Sequence, residues 1–339
     1  MLLALDAMGG DNAPVEICRG ALLACERFPD LEVALVGHGP SIEPLLAEAP
    51  STSRLHVVHA DETITMEELP SVAIRKKRRS SLRLAMEMVH AGEAQGCISA
   101  GNTGAIVAGG VLVVGRIPGI DRPGLGVSLP AIDRVRMLID VGATVRSKPV
   151  NLVQFALMGG LYMKHIVSVS DPQIALLANG SEEIKGDEAI AQARDLLRQG
   201  PFPFIGYVEG NEIPEGPADV IVCEGFTGNI VLKLMEGLGG SVYSLLKDEM
   251  GHRLLPKVGM VFMLPMMKAL WNRLDYERYG GTPLLGVRGA VIKAHGRSKA
   301  PAIASALGVA RDFVLKRGVE LISQEITQGG MGNGPFHRT

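Results

Sequence analysis

Aromatic side chains are scarce: five Tyr, eight Phe and one Trp make up 4% of 339 residues. So thin a supply argues against stacking platforms for bases or sugars. A formal net charge of −2 likewise gives no electrostatic case for a nucleic-acid partner. Cysteine is limited to Cys18, Cys25, Cys97 and Cys223. Without C-x-x-C spacing these form neither a zinc site nor a disulfide framework, and no His/Cys/Asp cluster has metal-ligand spacing. No uncharged apolar run reaches the roughly 18–20 residues that cross a bilayer. The first residues enter an apolar run at once and meet Asp6, which is not a secretory-signal pattern, so the cytoplasm is the expected setting.

Two cofactor signatures are missing as well. No G-x-x-x-x-G-K-[ST] loop occurs, and Gly37-His38-Gly39 lacks the third glycine of a dinucleotide fingerprint. No G-x-S-x-G elbow offers a serine nucleophile. Neither a metal nor an organic cofactor is expected.

What is present is a hydrophobic fraction of 47% with 42 glycines, the composition of a turn-rich α/β protein with an ample core. Short apolar runs alternate with helix-length segments, and polar-glycine turns recur after Asp6, Ser99, Asp140, Asn179, Glu209 and Glu224. In open α/β sheets a site lies outside the carboxyl ends of the strands, and all six turns are expected on one such edge. In Ser99-Ala-Gly101-Asn102-Thr103-Gly104 a strand runs into a helix, with Asn102 either an ordinary N-cap or part of an anion seat at the helix N-terminus. The turn Asp6-Ala-Met-Gly9-Gly10-Asp11-Asn12 has the same form, with Asp11 or Asn12 as cap and Pro14 in the first helical turn. Leu125–Leu129 and Val135–Asp140 read as an antiparallel excursion, and Ser298–Glu325 as one final helix.

Three further stretches stand out. Arg75-Lys76-Lys77-Arg78-Arg79 is either a solvated helix end or a dock for an acidic partner, with Ser80 or Ser81 capping the next helix. Within 252–279, Val258, Phe262, Met266, Leu270 and Leu274 recur every four residues, with Met263, Met267 and Trp271 beside them and Pro265 between. That amphipathic segment suits a core or dimer face, or a lipid- or acyl-facing surface. The glycine-rich tail 328–339 is expected to be disordered. The rest, residues 1–327, is expected to form one domain.

The chain resembles the bacterial phosphate acyltransferases of phospholipid synthesis. The resemblance rests on ALDAMGGD at 4–11, SAGNTGA at 99–105, RIPGIDRP at 116–123, DVGA at 140–143, EEIKG at 182–186, CEGFTGNIVLK at 223–233, YGG at 279–281 and VIKAHG at 291–296. These stand in the family's order over about residues 1–325. Departures are Arg79 before the Ser-Ser pair, Ala178-Asn179-Gly180, and Thr144 in place of an asparagine. The resemblance implies a three-layer α/β/α fold akin to phosphotransacetylases and isocitrate dehydrogenases. It implies a homodimer peripherally associated with the inner face of the cell membrane through 252–279. Its reaction moves a fatty acyl group from acyl carrier protein to inorganic phosphate, for later acylation of glycerol 3-phosphate.

With that chemistry in view, Lys185, Asn229 and Asn102 are the candidate catalytic residues. Asp6, Gly9, Gly10, Ser99, Gly101, Thr103, Gly104, Gly225, Thr227, Gly228 and His295 are the candidate substrate-binding set. Helix N-terminal N–H groups, amides and hydroxyls hold an anion or a developing oxyanion without quenching the nucleophile. Lys185 is placed to bind phosphate or to protonate the leaving thiolate, with His295 in reserve. Arg75 to Arg79 form the candidate dock for the acidic carrier protein.

Overall fold

The fold is a computed structural model that describes residues 1–47, 53–130, 134–180, 188–251, 266 and 280–328. Its strands are β1 (Leu2–Asp6), β2 (Glu32–Gly37), β3 (Leu55–His59), β4 (Gly96–Ser99), β5 (Gly124–Pro130), β6 (Val135–Ile139), β7 (Ile174–Leu177), β8 (Phe204–Val208), β9 (Val220–Val222), β10 (Thr282–Leu285) and β11 (Ala290–Lys293). The helices are α1 (Val15–Arg27), α2 (Gly39–Ala47), α3 (Pro70–Lys76), α4 (Ser81–His90), α5 (Thr103–Gly109), α6 (Pro149–Tyr162), α7 (Glu188–Leu197), α8 (Gly225–Gly251), α9 (Ala300–Leu315) and α10 (Gly318–Gln328).

The strands form one sheet in the order β3-β2-β1-β4-β11-β10-β5-β6-β9-β7-β8. Strands β3, β2, β1, β4 and β11 run parallel. So do β6, β9, β7 and β8. The three antiparallel pairings all lie between these sets, at β11–β10, β10–β5 and β5–β6. An odd number of reversals leaves the second set running against the first. This corrects the expectation of six turns on one edge. The turns after Asp6 and Ser99 belong to one half-sheet, and those after Asp140, Asn179, Glu209 and Glu224 to the other. The antiparallel excursion at β5–β6 is as the sequence reads.

Strand alternation explains the three layers. In β1, Leu3 and Leu5 pack with α1 and α9, while Ala4 faces the opposite core with Ala85, Met86 and Ile106. In β6, Met137 and Ile139 pack with Phe155 of α6, while Leu138 joins Ala4 in the core of the opposite face. Strands covered on both sides read as continuous apolar runs because each face needs its own hydrophobes. Burying one such side chain contributes about 1.5–3 kcal/mol, and a one-residue slip would exchange the two faces, so register is firmly set.

Local starts and stops differ from the sequence expectation in three places. The residue preceding α1 is Pro14, with no side-chain cap, and the Asn12 amide instead donates to the carbonyls of Arg297 (3.1 Å) and Ser298 (3.3 Å). Ser80 occupies the cap position of α4, yet its hydroxyl turns back to the Lys77 carbonyl at 2.8 Å. The expected final helix is two, broken where Arg317 takes a left-handed φ of 53° and Gly318 packs under Phe313. The 252–279 segment lies outside the described residues except for exposed, helical Met266, and so does 329–339 of the tail.

Candidate active site

The first half-sheet brings the β1 and β4 turns together around Asp6. This buried carboxylate accepts the Ser99 hydroxyl at 2.7 Å and the Met8 N–H at 3.2 Å, and Ser99 Oγ in turn accepts the Gly101 N–H at 3.0 Å. Gly9 lies so close that a Cβ would stand 2.5 Å from Asp6 Oδ2 and 2.9 Å from the Gly101 nitrogen. Only glycine fits there. Burial pushes the Asp6 carboxyl above its usual range, against hydrogen bonds from Ser81, Ser99 and the backbone of Met8 and Gly9. Gly10 adopts a φ of 99°, and the next N–H, from Asp11, donates to the Gly296 carbonyl at 2.8 Å. The β1 turn is thereby tied to the turn that follows β11.

Asn102 caps α5, its Oδ1 accepting the Ala105 N–H at 3.1 Å. Its Nδ2 faces the carbonyls of Thr65 (3.3 Å), Met66 (3.0 Å) and Glu68 (3.4 Å). The residue therefore straps the 65–68 loop to the β4 turn, a contact local pattern does not reveal. Thr103 opens α5 and is half-buried. Gly104 admits Pro70 of α3, which would stand 2.5 Å from a Cβ.

The second half-sheet repeats the device at Asp140. Its Oδ1 accepts N–H groups from Leu125 (3.0 Å), Gly142 (3.0 Å) and Ala143 (2.9 Å), and its Oδ2 accepts that of Thr144 at 2.7 Å. Burial pushes this carboxyl up to about 6 against those four bonds. The Thr144 carbonyl accepts the Gly225 N–H at 2.9 Å, so the residue at 144 acts here through its backbone and the departure from asparagine is accommodated. Gly225 and Gly228 pack directly on this loop and on the Asp140 carbonyl. Thr227 donates to Glu224 at 3.2 Å. Asn229 sits beside Gly142, where a Cβ on the glycine would lie 3.8 Å from its own.

Between the halves, the end of β11 meets α8. A cavity of about 50 Å³ at the base of an open cleft is lined by Ser128, Leu232, Glu236, Thr282, Lys293, His295 and Ser298 among others. His295 Nδ1 accepts the Arg297 N–H at 3.1 Å, and its Nε2 lies 3.5 Å from Glu236 Oε2. Burial holds the Lys293 ammonium below its usual range; Glu236 opposes that shift and Lys233 adds to it. Glu236 and Lys293 line this cleft, with the charge of Lys233 beside them, and sequence reasoning gave none of the three a role. The signal was available, since Lys233 and Lys293 close or lie within two of the motifs that carry the resemblance, CEGFTGNIVLK and VIKAHG.

Lys185 lies outside the described residues. The basic run is divided. Lys77 pairs with Glu68 at 2.8 Å and Arg79 with Asp61 at 2.6 Å, whereas Arg75, Lys76 and Arg78 point into solvent. Among the described residues, no group of three His, Cys, Asp or Glu side chains could hold a metal, and no helix is long and apolar enough to cross a membrane.

Residues 1–320 match the family model described as fatty acid synthesis protein. A phosphate acyltransferase of Heliobacterium modesticaldum is 46% identical over 96% of this chain and 98% of its own length. One from Alkaliphilus oremlandii is 43% identical over 97% and 98%. The chain belongs to the phosphate acyltransferase family. Among solved structures, a Streptococcus pyogenes phosphotransacetylase superposes with a TM-score of 0.65 at 15% identity, covering 93% of this chain and 94% of that one. A branched-chain phosphotransacylase of Enterococcus faecalis V583 gives 0.55 at 12% identity, covering 92% and 99%. These likenesses confirm the expected fold class. The quoted motifs ALDAMGGD, SAGNTGA, DVGA and CEGFTGNIVLK fall on the two carboxylate-anchored turns and the start of α8, and VIKAHG on β11 and the turn after it.

Proposed function

We propose that this protein transfers a fatty acyl group from acyl carrier protein to inorganic phosphate, releasing acyl phosphate for glycerol 3-phosphate acylation in phospholipid synthesis. The observation that carries the reading is the family match, which spans nearly the whole chain and includes every turn bordering the cleft. A phosphate oxygen attacks the thioester carbonyl, the C–S bond breaks, and the pantetheine thiolate leaves and takes up a proton. Dianionic phosphate needs no general base, so Asp6 and Asp140 serve as positioning carboxylates.

Asn229 is the best-placed oxyanion donor, because among the described residues its amide has no hydrogen-bond partner and it stands at the first turn of α8. One such donor is typically worth a factor of about 10²–10³ in rate. Asn102 and Thr103 contribute from the start of α5, Asn102 through its strap to the 65–68 loop. Lys185 remains the candidate for phosphate binding or thiolate protonation, on the strength of the resemblance.

The carrier protein docks, in this reading, on exposed Arg75, Lys76 and Arg78. The protein works as a homodimer. In support, Phe226, Ile230, Leu234, Leu238, Val242 and Leu245 form an exposed apolar stripe along α8, each at least 50% accessible, on the side opposite Leu232 and Glu236. Peripheral contact with the inner face of the membrane is assigned to 252–279, on its amphipathic pattern.

The deciding experiment incubates purified protein with palmitoyl carrier protein and phosphate and traps the product with hydroxylamine. Phosphate-dependent hydroxamate is the expected result. Intact thioester with no hydroxamate would overturn the reading. Palmitoyl-CoA in parallel defines the donor.

A further inference from the structure

We propose that the Lys293 ammonium is the cation that receives the attacking inorganic phosphate, in the cavity that it lines with Ser128, Glu236, Thr282, His295 and Ser298. The inference deepens the acyl-phosphate reading and rests on it.

The first support is that several donors of the glycine turns are already claimed. An anion cradle needs unclaimed N–H groups. Yet Gly101 already donates to Ser99, and Gly142, Ala143 and Thr144 already donate to Asp140. Asp6 and Asp140 would also repel a phosphate set against them. The glycine-rich turns are braced from within by their own carboxylates.

The second support is the placement of Lys293. It ends β11, opposite Ser99 of β4 on one side and Thr282 of β10 on the other. Its ammonium is shielded from solvent, and among the described residues no hydrogen bond or ion pair engages it. The neighbouring carboxylate, Glu236, is turned toward His295. A shielded ammonium without a partner is costly unless an anion joins it. Lys233, on the adjoining turn of α8, adds positive charge to the same place. The cavity wall carries the hydroxyls of Ser128, Thr282 and Ser298, which are hydrogen-bonding partners for phosphate oxygens.

The third support is chemical type. A lysine meets phosphate as a point charge, whereas an arginine fork engages two oxygens at once. A single-point hold leaves the other oxygens available to attack the thioester carbon. Asn229, on the Asp140 side of α8, would then face the developing oxyanion, so nucleophile and oxyanion are held from different half-sheets.

The test compares wild type with Lys293→Met and Lys293→Arg. Initial rates are measured with phosphate varied at saturating palmitoyl carrier protein, and the reverse. Thermal unfolding is followed with phosphate and with chloride at matched ionic strength. Lys293→Met is expected to raise the KM for phosphate about ten- to a hundredfold, the scale of a charge-assisted hydrogen bond, while the KM for the thioester moves less than about twofold. Its phosphate-dependent rise in Tm should disappear, and Lys293→Arg should restore part of both effects. A lysine of purely structural role would lower Tm in both salts and leave the KM for phosphate in place; that result overturns the proposal. If Lys293→Met does not fold, Lys293→Gln takes its place, and an unchanged KM for phosphate with an unchanged phosphate shift in that variant also overturns the proposal. Absence of turnover in wild type would instead remove the acyl-phosphate reading, and the salt-specific Tm comparison would still decide whether Lys293 holds the anion.

Discussion

At the scale of single residues, the two buried aspartates share a geometry and differ in what can be read from it. Asp140 sits at about 6 in the folded chain against an ordinary 3.8. Because burial raises the folded value, the protonated form is the better accommodated. Its contribution to stability is complete below about 3.8 and is lost as pH rises through about 6, on the order of 3 kcal/mol. Urea midpoints measured from pH 4 to 7 should fall with pH, and Asp140→Asn should flatten that slope while costing stability throughout, since its NH₂ must face one of four N–H donors. An equal slope in the variant would place the titration elsewhere. Asn102 offers a second contrast. Asn102→Ala removes both cap and strap and should cost about 1 kcal/mol from the cap alone, with a lower kcat. Asn102→Asp keeps the cap acceptor but turns a carboxylate toward three carbonyls, so it should retain α5 yet reduce kcat and raise amide exchange over 65–68. The cap was legible in S-A-G-N-T-G, because it is a contact over three residues. The strap was not, because it joins positions 34 to 37 residues apart. Lys293 escaped for a similar reason: in V-I-K it reads as a strand lysine, and only the approach of α8 from the other half of the molecule makes it a shielded one.

At the scale of elements, periodicity served well where one face was buried and poorly where ends were concerned. Strands β5 and β6 stand within one residue of their sequence expectation, since apolar spacing is imposed by the cores. Caps at Asn12 and Ser80 failed because those side chains found longer-range or backward partners. The break before α10 was marked by Gly318, which the Phe313 ring demands, but a lone glycine inside an otherwise helical pattern has no distinctive signature. Helix α8 carries the element-scale prediction. Its outer stripe is exposed among the described residues, so Leu234→Arg with Leu238→Arg should dissociate the proposed homodimer while preserving the circular dichroism of the fold. Light scattering after size exclusion gives the mass; a dimer that persists would send the interface elsewhere.

At the scale of the whole molecule, the α/β class and the importance of the glycine turns were legible, whereas the direction of the half-sheets was not. Direction depends on the three antiparallel pairings around β10 and β5, and β10 pairs with β5 across half the chain. Overall charge is uninformative at −2, but its distribution is not. Arg75→Glu, Lys76→Glu and Arg78→Glu together should raise the KM for palmitoyl carrier protein about tenfold, an effect that fades at high salt as exposed charges are screened. The same change at Arg79, which already pairs with Asp61, should do less to docking and more to the 61–80 loop. Saturation kinetics with the carrier-protein donor at low and high ionic strength would separate these, and an unaltered KM in the triple variant would exclude the dock.

The insertion of β11 beside β4 also has a consequence for biosynthesis. Ala290 pairs with Gly96, so the growing chain completes β3, β2, β1 and β4 long before the strand that closes their open side has been made. Throughout that interval β4 presents unpaired backbone groups and apolar Cys97 and Ile98, the kind of exposed edge that invites pairing with another nascent chain. A ribosome stalled before residue 290 should therefore hold an aggregation-prone, chaperone-bound half-sheet, and release of the C-terminal third should be what renders it soluble.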